Sequence, residues 1–326
     1  MKVVIPGGTG QVGAILHRAL HAQGHQVVRL GRPGPAASVA DSPLAALEDE
    51  VVSWDGTTLG PWATALDGAD VVINLAGRTV NCRYTEPNLR QMMSSRVEST
   101  RVVGQAIGRA FEPPRVWLQM STATIYAHRF DAANDEATGR IGGGEPEVPR
   151  YWDFSVEIAK AWERTQQEAD TPRTRKVALR TAMVMSPDRG GIFDVLLGLT
   201  RKGLGGTIAG GQQFVSWIHE RDLVRAIELL IQREDIQGPV NLAAPHPLPQ
   251  REFMAGLRAA SGARIGLPAS AWMARLGAFF LRTDAELTLK SRRVVPGRLL
   301  GAGFDFEFPQ WVPAAEELFA RWKAAR

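Results

Sequence analysis

Short apolar runs alternate with longer amphipathic segments over the first two-thirds of the chain. The apolar runs are rich in β-branched residues and predict strands at 3–6, 26–30, 51–54, 71–75, 116–120 and 177–180. The segments between them predict helices at 14–23, 60–66, 87–110 and 155–169. Strands separated by helix-length segments are typical of right-handed βαβ units around a buried parallel sheet. The pattern therefore predicts an α/β fold with a doubly wound parallel sheet.

Changes in this alternation of apolar and amphipathic segments divide the chain into three regions. Residues 1–182 carry the alternating pattern, interrupted by a Gly-, Pro- and acid-rich excursion at 131–149 that we expect to cross the cleft. Residues 183–244 predict helices at 192–199 and 222–232 around a glycine-rich turn, and we expect late elements of the sheet domain there. Residues 245–326 are rich in Ala, Leu, Arg and Trp, which predicts a smaller, mostly helical domain.

Composition narrows the class of protein. The 326 residues are 44% hydrophobic and 22% charged, values typical of a globular protein. The 38 basic residues exceed the 34 acidic ones by only 4 and are scattered, so we expect no nucleic-acid partner. No run reaches the ~20 apolar residues that span a bilayer, so we expect no membrane partner. The single cysteine, Cys82, fits a cytoplasmic protein and excludes an internal disulfide.

A glycine-rich loop links the first predicted strand to the first helix. Gly7 permits a tight turn, Gly10 lets the backbone approach a phosphate, and Gly13 lets the helix pack closely on the strand. The helix N-terminus adds unpaired N–H groups and a positive dipole end. Glycines also mark ordinary turns, but this context favours a dinucleotide site. Its predicted contacts are Gly7, Gly8, Thr9, Gly10, Gln11, Val12 and Gly13.

The end of the second strand indicates which nicotinamide cofactor fits. Sites selective for NAD place an acid there, where it binds the ribose 2′-hydroxyl. This chain reads Arg29-Leu30-Gly31-Arg32 and has no acid. The Arg32 guanidinium is suited to a 2′-phosphate, which favours NADP(H). The alternative is a solvated loop arginine.

Two further segments are candidate cofactor contacts. Asp55, after the third strand, either accepts a hydrogen bond from the adenine amine or caps the next helix. Leu75, Ala76 and Gly77 close the fourth strand and bring backbone close to the cofactor. Small residues are also what a turn at the end of a strand needs.

These motifs together resemble the extended short-chain dehydrogenase/reductase superfamily. More closely, the chain is similar to its atypical nucleoside-diphosphate-sugar-epimerase-like branch, which carries a C-terminal domain of unknown function, DUF1731. The resemblance covers essentially the whole chain and implies a Rossmann fold that binds a nicotinamide cofactor. It is carried by the glycine loop, Asn74-Leu75-Ala76-Gly77, Ser121-Thr122-Ala123-Thr124-Ile125-Tyr126, Ser216-Trp217-Ile218-His219-Glu220-Arg221-Asp222-Leu223, Arg83-Tyr84-Thr85, Ser95-Arg96-Val97-Glu98, Ala161-Trp162-Glu163 and 296–308.

The chain departs from the superfamily at its proton-transfer motif. Active members use Tyr-x-x-x-Lys on the helix after the fifth strand, and the lysine lowers the pKa of the tyrosine. Aligning Glu163 with the acid that follows that motif puts Ser155 at the tyrosine position and Ala159 at the lysine position. The usual proton donor is therefore missing.

Other side chains become the candidates for chemistry. Thr122 matches the catalytic Ser/Thr of the superfamily, and Ser121 and Tyr126 lie beside it in sequence. Tyr84 and Lys160 are further candidates for proton transfer or anion binding.

Four residues are candidates for substrate contact, each with a plainer alternative. Arg83 and Arg96 either bind an anionic substrate or form surface ion pairs. Trp217 either lines a pocket or belongs to the core. His219 either takes part in catalysis or caps the helix that follows it.

Two hypotheses for function follow. The first is an NADP(H)-dependent oxidoreductase or epimerase-like enzyme acting on an unidentified small molecule; the second is a catalytically silent NADP(H)-binding sensor or regulatory protein. We expect no metal site, since the acids of the excursion lack ligand spacing; these are Asp131, Asp135, Glu136 and Glu145. A homodimer through a helix pair is common in the superfamily and is left open.

Overall fold

The computed structural model describes residues 1–32, 51–146, 148–149, 151–273 and 286–326. Residues 274–285 of the predicted C-terminal region are outside this description. The described part of the chain forms a parallel sheet with helices on both faces, followed by a mainly helical C-terminal region.

Seven parallel strands form the central sheet in the order β10-β6-β5-β4-β1-β2-β3. The order reverses between β1 and β4, the switch point at which open α/β sheets bind ligands beyond the carboxyl ends of their strands. The strands are β1 (Lys2–Pro6), β2 (Gln26–Gly31), β3 (Val51–Ser53), β4 (Val71–Asn74), β5 (Val116–Thr122), β6 (Arg175–Thr181) and β10 (Gly238–Leu242).

Helices cover both faces of this sheet and account for its continuous apolar strands. On one face, α1 and α5 pack on Val3, Ile5 and Leu118; on the other, α2 packs on Val4 and Trp117. The helices that cover the sheet are α1 (Gln11–Ala22), α2 (Glu86–Arg109), α3 (Trp152–Glu168) and α5 (Glu220–Gln232), whereas α4 (Ile192–Leu199) packs in the C-terminal core. The six predicted strands and the helices over 14–23, 87–110 and 155–169 are thus present, with ends shifted by a few residues.

Two predictions about elements need correction. The predicted helix at 60–66 is a short 3-10 segment, Pro61–Leu66, and the edge strand β10 was not predicted. Its sequence, Gly238-Pro239-Val240-Asn241-Leu242, begins with two residues that are unfavourable inside a strand. Proline is tolerated because β10 lies at the edge of the sheet and pairs with β6 alone.

A second core holds the C-terminal region together. The helices α6 (Gln250–Ser261) and α9 (Trp311–Ala324) pack around Trp217, Phe253 and Trp311. The remaining elements there are β7 (Met183–Met185), β8 (Phe214–Val215), β9 (Trp217–His219), β11 (Leu248–Pro249), α7 (Glu286–Leu289) and α8 (Gly297–Gly301). Among the described residues, no helix combines the length and the apolar character needed to cross a bilayer.

Candidate active site at the carboxyl edge of the sheet

The glycine loop is held against the neighbouring strands by its own backbone. The Gly7 N–H donates to the Leu30 carbonyl over 2.9 Å, and the Leu75 N–H donates to the Pro6 carbonyl over 2.8 Å. Gly7 has φ of +75°, and a Cβ there would lie 2.7 Å from the Ala76 Cα. The turn therefore requires glycine, and it fixes the loop at the switch point of the sheet.

Gly10 and Gly13 differ in what surrounds them. A Cβ on Gly13 would lie 2.3 Å from the Gly8 carbonyl oxygen, so close packing of α1 on the turn excludes a side chain. A Cβ on Gly10 would meet only the Gly7 carbonyl, at 3.6 Å. Gly10 is exposed and caps α1 without a side-chain hydrogen bond, and the first turn holds no acid. Protein packing does not explain glycine at this position, whereas a phosphate approaching the helix start does.

The loop after β4 is anchored from beneath and from the side. The Asn74 side chain accepts from the Ala76 N–H over 3.1 Å and donates to Gln119 over 2.9 Å. Arg96 of α2 donates to the carbonyls of Met92 and Arg78, each over 3.0 Å. Burial lowers the pKa of Arg96 to about 10, so its guanidinium is still protonated at neutral pH. Arg96 is not the surface ion pair that we considered from the sequence; it lies in the interior, where it holds this loop.

Arg32 and Asp55 lie in exposed positions after β2 and β3. Asp55 accepts hydrogen bonds from the N–H groups of Thr57 and Thr58 and from the Thr58 hydroxyl, at 2.5–2.9 Å. The Thr58 hydroxyl bond contributes most to holding the pKa of Asp55 well below its usual range. The structure therefore provides the local turn-capping role for Asp55, and contact with adenine stays a prediction.

Ser121 and Tyr126 belong to one buried polar network rather than to an open cleft. Ser121 donates to Glu163 over 2.6 Å. Arg180 binds both oxygens of Glu163 and also donates to the Tyr126 hydroxyl over 3.0 Å. The Tyr126 hydroxyl in turn donates to Asn241 over 2.9 Å. These contacts tie β5, β6, β10 and α3 together at the carboxyl edge of the sheet.

This network makes Tyr126 a poor proton donor at neutral pH. The side chain is 2% exposed, and burial raises its pKa although Arg180 opposes the rise. Burial also works against the charged form of Arg180, but the bonds and charge of Glu163 outweigh it and raise the pKa of that guanidinium. The placement of Ser121 and Tyr126 thus favours a structural role for both. Thr122 lies outside this network: it is half-buried and caps the 3-10 turn at Ala123–Ile125.

The inner face of α3 carries Ser155 and Ala159, the two residues that the sequence alignment puts at the tyrosine and lysine positions. Glu163 contacts the end of β5, and Ser155 lies about 12 Å nearer the N-terminus of the helix along its axis. Ala159 is fully buried between them, against the 3-10 turn that follows β5. Neither position carries a side chain that titrates near neutral pH.

The C-terminal region supplies ionisable groups at this place, and sequence reasoning missed them. Ser155 donates to Glu286 over 2.6 Å, and Lys290 lies 3.5 Å from the same carboxylate. Lys290 also donates to the Thr124 carbonyl over 3.1 Å, and Arg292 donates to the Thr124 hydroxyl over 3.1 Å. In the sequence, one acid and two basic residues at positions 286, 290 and 292 were the only indication of this cluster. Such a pattern is common in a charged C-terminal region and does not point to a site.

Arg83, Tyr84 and Lys160, the other predicted site residues on neighbouring elements, differ in burial and in the charged groups near them. Arg83 is exposed, and the half-buried Tyr84 lies within electrostatic range of both Arg96 and Arg292. Lys160 forms an exposed ion pair with Glu157 over 2.9 Å, on the opposite side of α3 from Ser155 and Ala159. Tyr84 is thus placed among charged groups of the site, whereas Lys160 is not.

Trp217 and His219 are corrected to structural residues. Trp217 is fully buried, with its ring 5.0 Å from that of Trp311, which favours the core alternative for this residue. His219 is also fully buried and caps α5 by accepting from the Arg221 N–H over 3.1 Å. Its other ring nitrogen lies 3.0 Å from Glu317, and burial lowers its pKa to about 4. A neutral, enclosed imidazole has no access to a substrate.

The excursion packs against the C-terminal region. Asn134 exchanges backbone hydrogen bonds with Arg293 and Val295, at 2.7 and 3.0 Å. Glu136 accepts from the Asn241 N–H over 2.7 Å, so this acid of the excursion is bonded to β10. In the ranges that the structure describes, no three His, Cys, Asp or Glu side chains come together as a metal site.

A small cavity lies beside α7. Its volume is about 250 Å³, and His128, Trp152 and Leu289 are among the residues that line it. His128 accepts from the Ser291 N–H over 2.8 Å, so the cavity adjoins the segment that carries Glu286 and Lys290.

Comparison with known proteins shows which family the chain belongs to. Residues 3–243 match the NAD dependent epimerase/dehydratase family, and residues 269–318 match the domain of unknown function DUF1731. The chain belongs to the NAD dependent epimerase/dehydratase family. The resemblance inferred from the motifs is therefore confirmed.

Members of this epimerase/dehydratase family align with nearly the whole chain. The epimerase family protein SDR39U1 from Homo sapiens is 30% identical, over 98% of this chain and 100% of its own length. The protein of the same name from Bos taurus is 32% identical, with the same coverage of both chains. Epimerase family protein SA0724 from Staphylococcus aureus is 28% identical over 97% of this chain and 98% of its own.

Solved structures of the family share the fold. The human epimerase family protein SDR39U1, crystallised with NADPH, superposes with a TM-score of 0.81 at 28% identity, covering 98% of this chain and 99% of that one. A nucleoside-diphosphate sugar epimerase from Corynebacterium glutamicum gives a TM-score of 0.73 at 25% identity, covering 99% of this chain and 61% of that one. The predicted Rossmann architecture with a helical C-terminal region is confirmed.

Proposed function

We propose that this chain is an NADP(H)-dependent oxidoreductase or epimerase-like enzyme that acts on a small carbonyl or hydroxyl compound. The observation that carries the cofactor assignment is Gly10, an exposed glycine that protein packing does not require, at the uncapped start of α1. The human relative crystallised with NADPH supports the same assignment.

The residues around the switch point would divide the cofactor between them. The backbone of Gly7–Gly13 and the start of α1 would hold the pyrophosphate, and Arg32 would pair with the 2′-phosphate. Asp55 would contact the adenine edge, while the backbone of Leu75, Ala76 and Gly77 would lie along the ribose and phosphates. When bound, the nicotinamide would supply or accept the hydride.

The chain's own groups would bind and orient the substrate. The Thr122 hydroxyl lies at the carboxyl end of β5 and is half-buried, so it is suited to hydrogen-bond a substrate oxygen. Arg83 and Tyr84 lie on the loop between β4 and α2, where they would meet a polar or anionic part of the substrate. A small molecule is the partner that this arrangement favours.

A catalytically silent NADP(H) sensor is the second candidate. Ser155 and Ala159, at the positions of the missing motif, favour it, because neither can replace a tyrosine–lysine pair by itself. A protein that only reports the cofactor would bind NADPH without needing a proton donor.

One experiment separates the two candidates. NADPH binding is measured by fluorescence, and NADPH oxidation is then followed with a panel of aldehydes, ketones and sugar nucleotides. The enzyme hypothesis requires turnover that Thr122→Ala reduces while NADPH still binds. Micromolar or tighter binding with no turnover across the panel favours the sensor, and absence of NADPH binding contradicts both.

A further inference from the structure

Glu286 and Lys290 form a buried charged pair beside Ser155, which the sequence alignment puts at the tyrosine position of the superfamily's motif. Glu286 and Lys290 are 1% and 3% exposed, although isolated charges at such burial are strongly unfavourable. They are separated in sequence from their contacts, Ser155 and Thr124, by 131 and 166 residues. The fold thus brings an ionisable acid and base from the C-terminal region to the start of α3.

We propose that Ser155 and Glu286 form a proton-transfer pair that substitutes for the missing tyrosine and lysine, with Lys290 as the positioning residue. The proposal rests on the proposed function, since it assigns the proton donor of the same site. It also gives the C-terminal region a chemical role, which is to deliver Glu286 to Ser155.

The geometry supports a relay through Ser155 alongside the ion pair of Glu286 with Lys290. Lys290 lies 3.5 Å from Glu286, whereas the Ser155–Glu286 contact is the shorter, at 2.6 Å. Lys290 donates a hydrogen bond to the Thr124 carbonyl, so it links the Glu286 carboxylate to the turn that follows Thr122. A hydroxyl held this closely to a buried carboxyl is in position to pass a proton to it or from it.

The proton balance for reduction of a carbonyl is complete. As hydride reaches the carbonyl carbon from the reduced nicotinamide cofactor, the Ser155 O–H bond breaks and its proton goes to the substrate oxygen. In this state Glu286 is protonated and its O–H donates to Ser155 Oγ, the reverse of the bond to the carboxylate; Ser155 Oγ takes this proton, and the resulting carboxylate recovers a proton from solvent. Oxidation of an alcohol runs the same transfers in reverse.

The charges around Glu286 make its protonation adjustable. Burial raises the pKa of Glu286, and the positive charges of Arg292 and Lys290 oppose the rise. Burial lowers the pKa of Lys290, while Glu286 and then Glu145 raise it and Arg292 lowers it further. Burial thus favours the protonated form of Glu286, while the neighbouring cations favour its carboxylate.

The test compares Glu286→Gln with Glu157→Gln in the full chain. Glu157 is an exposed acid on α3, so it controls for the loss of one carboxylate. With a substrate from the panel, we expect Glu286→Gln to lower kcat roughly 100-fold, the usual scale of general acid catalysis, with little change in KM for NADPH. In Glu286→Gln, the pH profile of kcat should lose one limb. Ser155→Ala should lower kcat to a similar extent, whereas Ser155→Thr, which keeps a hydroxyl, should retain activity.

A second readout needs no substrate. Carboxyl protonation is followed by infrared spectroscopy in the NADPH-bound protein between pH 5 and 9. We expect a carboxyl that titrates in this range, is absent in Glu286→Gln and is shifted in Lys290→Met. A Glu286 that stays ionised throughout, or a Glu286→Gln variant with unchanged kcat and pH profile, overturns the proposal. NADPH binding or turnover in the parent chain would still uphold the proposed function.

Discussion

Arg180 and Glu163 form two hydrogen bonds in parallel, from Nε to Oε1 over 2.9 Å and from Nη2 to Oε2 over 2.8 Å. The pair lies where β5, β6 and α3 meet, and the side chains are only 10% and 16% exposed. Two donors aligned on two acceptors in a poorly solvated place fix the orientation of both side chains. This pair anchors α3, and therefore Ser155, against the carboxyl edge of the sheet.

Removing one partner of this pair should be costly. We expect Glu163→Ala to lower the free energy of unfolding by about 3–5 kcal/mol, because the Arg180 charge would be left buried without its carboxylate. Urea denaturation measures the loss. The control is Glu157→Ala, which breaks the exposed pair with Lys160 on the same helix and should change stability by about 0.5 kcal/mol or less. Equal losses in the two variants would contradict this account.

Two glycines of the first loop should respond differently to the same substitution. Gly13→Ala places a methyl group 2.3 Å from the Gly8 carbonyl oxygen and should cost about 1–3 kcal/mol of stability, measured by thermal unfolding. Gly10→Ala meets no such contact and should leave stability nearly unchanged. It should nevertheless weaken NADPH binding roughly tenfold or more, or about 1.4 kcal/mol, by blocking the approach of the phosphates. Unaltered NADPH affinity in Gly10→Ala would argue against a pyrophosphate at this position.

Arg32 should decide between the two nicotinamide cofactors. If its guanidinium pairs with the 2′-phosphate, Arg32→Glu should weaken NADPH binding roughly 10- to 100-fold and NADH binding much less, because NADH has no phosphate there. Calorimetric titration with each cofactor measures the ratio. Arg109→Glu is the control, since Arg109 is the last residue of α2, at the end of that helix away from the carboxyl ends of the strands. Equal losses of NADPH and NADH affinity would show that Arg32 does not select the cofactor.

His219 should make stability depend on pH in a defined window. Burial lowers its pKa from 6.5 to about 4 in the folded protein, so the unfolded chain binds the proton more readily. The contribution is fully present above about pH 6.5 and is lost as the pH falls toward 4, by a few kcal/mol in order of magnitude. The Glu317 contact favours the charged ring, but burial and the charges of Arg221 and Arg321 outweigh it.

His219→Asn tests this assignment, because asparagine keeps a side chain that can cap α5 but does not titrate. Unfolding free energies are measured from pH 4 to 7.5 for both proteins. The difference between them should shrink as the pH falls below 6.5. A difference that is constant across this range would mean that the folded protein does not depress the pKa of His219.

Local patterns were sufficient to predict six strands of the sheet and the turn that follows the first of them. The strands over 3–6 and 71–75 and the glycine loop depend on apolar runs and turn residues that are adjacent in sequence. The seventh strand was missed because Gly238 and Pro239 disguise it, and an edge strand tolerates both. His219 and Trp217 were open to two interpretations until burial decided between them.

The groups around Ser155 could not have been predicted in the same way. Glu286, Lys290 and Arg292 read as an ordinary charged tail, and their partners lie far away in the sequence. Pairwise contact between distant segments leaves no periodic signal in a single chain. The sequence predicts Ser155 and Ala159 at the tyrosine and lysine positions, but the groups that contact Ser155 are visible only in the folded chain.

The long sequence separation of these contacts sets an order of assembly. The turn after β1 is bonded to Leu30 of β2 and to Leu75 just after β4, across 23 and 69 residues, whereas Thr124 meets Arg292 across 168 residues. Contacts of such high sequence separation carry a larger entropic cost and tend to form late. A nascent or partly unfolded molecule can therefore present the dinucleotide loop while the charged groups at α3 are still unassembled. Only a chain that has folded through its C-terminal region presents both together, so the proposed proton transfer would depend on completion of the fold.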